Sequence, residues 1–188
     1  MPVYFFYPIY TAIFSLILLV LVPGKDIRRL SIYGIIFGGL MDVFMLTIGK
    51  ATGLFGWINY GPFGFIGYSI FASGSWAIFY ILYFYFLPKS NLLIYIYAGA
   101  GIFFSILYTN LVINLDIFYS YNRIFLPLAA FIVWFSIATW GYTKLSIFIL
   151  KNNTNRKLFK LASRPVSNFL SEINFKKLTK LKKPSKLK

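Results

Sequence analysis

Apolar residues run along this chain in long blocks, separated by short breaks marked by Pro, Gly or charge. A block of about 20 apolar residues spans the hydrocarbon core of a bilayer as a helix, because lipid offers no partner for unpaired backbone N–H and C=O groups. Five such blocks are predicted: 4–22, 30–48, 67–87, 92–115 and 124–150. Pro23-Gly24, Gly49-Lys50 and Pro88-Lys89 divide them, since Pro removes a backbone donor and Gly relaxes the chain. The fifth block is longer than a crossing needs, and tilt or an exposed last turn from Lys144 would absorb the excess. Between Gly53 and Gly67 the sequence GLFGWINYGPFGFIG is too apolar for an ordinary loop and is broken at Gly61-Pro62. It reads as an interfacial or partly re-entrant connection, with Trp57 and Tyr60 at headgroup depth, or as a lid over a ligand site. The expected fold is all-α: a polytopic five-helix transmembrane bundle over 1–150, with a separate tail over 151–188.

Composition agrees with that pattern: 59% of residues are hydrophobic and only 12% charged, against roughly 25% charged in soluble domains. The first block has no basic region or small-residue cleavage site beside it, so it is expected to stay as an anchor. High Ile, Phe, Tyr, Asn and Lys usage fits an AT-rich, bacterial coding sequence.

Charge adds orientation. Of the 19 Lys and Arg, 12 lie at or after Lys151; Lys25, Arg28 and Arg29 occupy the first connection and Lys89 the third, while the second and fourth hold only Lys50 and Arg123. All basic-rich segments fall on one side when there are five spans, and the positive-inside rule then puts the N-terminus outside and the C-terminus in the cytoplasm of a cell-membrane protein.

Chemistry is bounded mainly by exclusion. The chain has no Cys, no His and four acidic residues, which rules out disulfides, thiol nucleophiles and imidazole triads and leaves too few carboxylates for a metal cluster. The contexts MDVF and LDIF match no aspartyl protease signature. No catalytic residue, metal or cofactor is expected.

One acid lies inside a span. Gly34, Gly38 and Asp42 are four apart and share a helical face, on which the small residues let another helix approach. About ten Leu, Ile, Phe and Val at roughly −0.3 to −0.6 kcal/mol each outweigh an Asp costing about +2.5 to +3.5 kcal/mol. Asp42 is therefore predicted to point into the bundle, in its outer half, either as interhelical glue or as a proton, cation or ligand site. At similar inferred depth are Asn110 and Asn114, one turn apart and roughly opposite a small face made by Ala98, Gly101, Ser105 and Thr109. Asn59, Tyr60, Ser73 and Trp76 complete an expected outward-facing pocket, and Asp116 with Arg123 reads as a loop-end ion pair.

In the tail, Val166, Phe169, Leu170, Ile173, Leu178 and Leu181 recur near helical spacing, with Lys176, Lys177, Lys180, Lys182 and Lys183 between them. That pattern predicts an amphipathic helix on the cytoplasmic leaflet, at about 1 kcal/mol per basic residue near anionic lipid. The expected partners are the bilayer and its anionic lipids, with a protein partner or second copy of the chain beside them. No base-reading or stacking pattern points to nucleic acid. The first functional expectation is a non-enzymatic membrane protein with a solute- or cation-binding pocket around Asp42, as a transport subunit; its rival is a scaffold that recruits partners or anionic lipids through the tail, and an intramembrane enzyme stands third.

Overall fold

The structure, a computed structural model, describes residues 2–65 and 68–162. The tail residues assigned to the lipid surface, Lys176, Lys177, Lys180, Lys182 and Lys183, lie outside the described residues. The chain forms two units, Met1–Tyr142 and Thr143–Lys188. In the second, the described part is the end of a helix in which Ser146 Oγ donates to Thr143 O at 3.0 Å.

Six α-helices carry the described chain: α1 (Phe6–Leu21), α2 (Gly24–Gly34), α3 (Met41–Thr52), α4 (Ile70–Tyr85), α5 (Asn91–Asn114) and α6 (Phe125–Ala162). A π-helical turn, Ile35–Leu40, joins α2 and α3 into one rod. Four helical stretches are long and apolar enough to cross a membrane: Val3–Leu21, Gly24–Thr52, Leu92–Asn114 and Phe125–Phe148. Much of their outward surface is apolar, as lipid requires: Leu16, Leu19, Val20, Phe103, Phe104 and Trp140 are all exposed.

Three boundaries differ from expectation; one is the end of α6, which runs on to Ala162 where the fifth span was expected to end at 150. The second helix starts at Gly24 rather than Leu30, because Pro23 sits at its N-cap and Asp26 pairs with Arg29 one turn on at 3.2 Å. The third apolar helix, α4, holds 16 residues, about 24 Å at 1.5 Å per residue, so by itself it falls short of the ~30 Å core.

The residues before α4 are spent on two short ribbons. Gly53, at φ +68°, closes α3 in the left-handed conformation that a Cβ disfavours, and Leu54 N returns to Gly49 O at 2.9 Å. The chain then runs into β1 (Phe55–Trp57), which pairs antiparallel with β4 (Phe118–Ser120) from beyond α5, Phe55 opposite Ser120 and Trp57 opposite Phe118. A second ribbon pairs β2 (Gly64–Phe65) with β3 (Tyr68–Ser69). Ser69 Oγ then accepts from Ala72 N at 3.3 Å and caps α4.

Tyr7 ties α1 to the first ribbon. Its buried hydroxyl lies 2.6 Å from Ile58 O and 2.7 Å from Ile117 O, one proton shared between two carbonyls at the end of the ribbon, where Ile117 O also accepts from Ile58 N at 2.9 Å. Further along, Thr11 Oγ1 meets Ser75 Oγ at 2.6 Å, a polar clamp between α1 and α4. The core behind this is aromatic: Tyr80 is fully buried among Trp134, Phe135, Tyr83 and Phe84, with ring centroids 5.5–5.8 Å apart.

Candidate functional site

The site grows from the close approach of the Gly24–Thr52 rod to α4. A Cβ on Gly34 would stand 2.6 Å from Ala77 O, and one on Gly38 would run into the Trp76 carbonyl. Both glycines therefore let backbone meet backbone. One turn on, Asp42 reaches α4 with its side chain and accepts a hydrogen bond from Ser73 Oγ at 2.7 Å. The ladder Gly34 to Ala77, Gly38 to Trp76, Asp42 to Ser73 descends one helix as it ascends the other, so the two run antiparallel.

The π-turn lies directly before Asp42. Met41 N–H, which in an unbroken α-helix would bond Phe37 O, goes to Gly38 O instead. Trp134 of α6 takes up the released carbonyl: its indole Nε1 donates to Phe37 O at 2.6 Å in a buried setting. The widened turn thus couples three helices at the level of the acid. Neither the turn nor its Trp134 partner was anticipated; the Gly38-Gly39 pair, weak in helix propensity, is the one local hint of it.

Asp42 is 3% exposed. Among the described residues the one ion pair is Arg29 with Asp26, so the Asp42 carboxyl has Ser73 as its hydrogen-bond donor and no basic partner. Lys50 sits over the Tyr68 ring at 4.0 Å. The α4 N-terminus adds to the local field: Ser73 is the fourth residue of the helix, and the positive end of a helix dipole attracts a carboxylate within the first turn.

Asp42 opens on a cavity of about 50 Å³ inside the first unit, where roughly 10–15 Å³ suffices for one buried water. Its walls are mostly aromatic and aliphatic, with Trp57, Trp76, Phe118, Phe131 and Trp134 supplying rings and Tyr108, Thr109 and Ser120 supplying hydroxyls. Two polar atoms on the wall lack a hydrogen bond. Trp57 Nε1, on a side chain 5% exposed, lies near enough to act on the Asp42 carboxyl without reaching hydrogen-bond geometry. Tyr108 OH is the other, with Tyr10 nearby. A second cavity of about 130 Å³, between Tyr10, Phe14, Ser75 and Phe104, shares Trp76 and Tyr108 with the first.

Of the residues expected around Asp42, the structure brings Trp76 and Ser73 to it and takes the others elsewhere. Asn110 Nδ2 donates to Ile106 O and to Arg123 O, and Asn114 Oδ1 accepts from Arg123 at 2.9 Å. Arg123 is thus held by Asn114 rather than by Asp116, which lies exposed in a left-handed turn at φ +54°. Asn59, also left-handed, donates to Asp116 O at 2.7 Å. Tyr60 packs its ring on Gly64. These four residues staple the loops together and leave the cavity wall to others.

The physical reason lies in which face α5 turns inward. A Cβ on Gly101 would stand 2.5 Å from Phe135, so α5 meets α6 through its small residues. Ser105 and Thr109 are buried on that face, and Thr109 lines the Asp42 cavity. Asn110, one residue on and about 100° round the helix, is carried away from the cavity and into the turn.

No family model, curated protein or solved structure matches the chain.

Proposed function

We propose that the chain is a five-span cell-membrane protein, N-terminus outside and C-terminus cytoplasmic, whose Asp42 cavity binds a small cationic solute, as a binding or transport subunit. The observation that carries this reading is a carboxyl buried to 3% exposure, with one hydrogen bond from Ser73 and no basic partner among the described residues, at the wall of a cavity. An ionised group in that setting is costly unless a countercharge joins it, and an intramembrane acid with no basic partner is by default a candidate ligand or proton site.

Strand pairing supports the span count. Because β1 follows α3 and β4 follows α5, their pairing brings both connections to one end of the bundle, and α4 has to return the distance that α5 covers. The ribbons that precede α4 would make up what its 16 residues lack. Tyr7, bonded to Ile58 O and Ile117 O, draws the start of α1 to the same end. That is the arrangement which five alternating spans need, and the charge bias orients it.

The test is replacement of Asp42. Asp42→Asn keeps the shape and removes the charge; it should abolish solute-dependent thermal stabilisation in detergent while leaving the unliganded melting temperature close to that of the parent. A folded Asp42→Leu variant with full solute response would end the reading.

A further inference from the structure

The cavity's chemistry narrows the kind of cation. An alkali or alkaline-earth ion sheds its water only where about six oxygens replace it. Among the described residues no group of three or more acidic, His or Cys side chains is available to hold a metal. The side-chain oxygens on the wall are those of the Asp42 carboxyl, which accepts from Ser73, and the hydroxyls of Tyr108, Thr109 and Ser120, fewer than such an ion needs and with one charged group among them. The rest of the wall is ring and hydrocarbon. Trp76 and Trp134 stand 4.8 Å apart and Trp57 and Phe118 4.9 Å apart, with Phe131 5.7 Å from Trp76. Such a surface cannot solvate a bare ion, and it suits a cation that spreads its charge over alkyl groups, since aromatic faces attract ammonium ions through the ring quadrupole.

We infer that the Asp42 cavity takes a small organic ammonium ion, its single positive charge paired with the Asp42 carboxylate and its alkyl groups held among Trp57, Trp76, Phe131 and Trp134. The inference rests on the cation-binding reading above and gives its substrate class. One carboxylate matches one charge. The volume, about 50 Å³, fits a compact ligand or a few waters rather than a large one. Trp57 Nε1, buried beside the Asp42 carboxyl and short of hydrogen-bond geometry with it, is placed to donate to the carboxylate or to an oxygen carried by the same ligand. The ammonium group belongs either to a free solute or to a lipid headgroup, and the chemistry of capture is shared.

The experiment uses the full chain in a detergent free of ammonium groups and follows tryptophan fluorescence at constant ionic strength. Tetramethylammonium chloride, sodium chloride, potassium chloride and the neutral isostere neopentane are titrated in turn. The expected result is a saturable response to tetramethylammonium alone, weakened roughly tenfold or more in Asp42→Asn and retained in Asp42→Glu, with melting curves showing both variants folded. Competition by a short-chain phosphatidylcholine would assign the headgroup as the source, and its failure to compete would assign a free solute. A response to sodium or potassium and none to tetramethylammonium overturns the ammonium assignment and leaves the cation site standing. An equal response to neopentane, or a tetramethylammonium response unchanged in folded Asp42→Asn, overturns both.

Discussion

Gly38→Ala isolates the close approach on which the site depends. A Cβ at this position would meet the Trp76 carbonyl, with Trp76 C at 2.6 Å and Ala77 Cα at 2.7 Å, all backbone atoms that no rotamer change can move. Ordinary carbon contacts lie at about 3.5–4.0 Å, so the rod and α4 have to part by about 1 Å. Asp42 is one turn away, and the same displacement would stretch its 2.7 Å bond with Ser73 beyond hydrogen-bonding range. Overpacking of this kind costs about 1–3 kcal/mol, and the lost hydrogen bond adds about 1 kcal/mol. At roughly 2–4 °C per kcal/mol for a chain of this length, the melting temperature should fall by several degrees. The neighbouring residue supplies the control. A Cβ on Gly39, in the same π-turn, meets nothing nearer than 3.5 Å, and Gly39→Ala should match the parent or exceed it through higher helix propensity. Thermal unfolding in detergent, followed by tryptophan fluorescence with Trp76 beside the substitution, reads both variants. Equal melting temperatures for Gly38→Ala and Gly39→Ala would refute the close-approach account, because propensity alone treats the two alike.

Three further predictions test the supports of the site and the topology. Trp134→Phe leaves Phe37 O in the π-turn without its buried donor and should cost about 1–3 kcal/mol in thermal or denaturant unfolding; a variant as stable as the parent would show that the carbonyl has found another partner. Tyr7→Phe removes the proton shared by Ile58 O and Ile117 O at little cost in volume, and should speed amide exchange across 55–58 and 117–120 more than within α5; unchanged exchange there would argue that the strand pairing holds without α1. Because the chain has no native Cys, Tyr121→Cys should be labelled by an impermeant thiol reagent in intact cells while Lys89→Cys is not; the reverse pattern would invert the proposed orientation.

The helices were legible because helix formation in lipid is a local matter: each apolar block must satisfy its own backbone, so its length and composition give a helix wherever the neighbours stand. By the same logic the interruption of α-helix between Gly53 and Phe65 was readable from Gly61-Pro62 and the clustered glycines. Helical spacing also put Gly34, Gly38 and Asp42 on one face, and all three meet α4 even though a π-turn intervenes.

What the amino-acid sequence determined by itself, then, is which segments are helical and that one acid lies among apolar residues, because those follow from spacing and from the absence of backbone partners in lipid. Tertiary structure decided the acid's neighbours. Periodicity gives α5 two distinguishable faces, one of small residues and one of amides, and cannot rank them; packing of Gly101 against Phe135 turns Thr109 toward Asp42 and sends Asn110 and Asn114 to Arg123. The β1–β4 pairing joins residues some 60 positions apart, and the bond from Trp134 to Phe37 O spans 97. Such contacts depend on where whole helices sit, which is a property of the assembled bundle and not of any one segment.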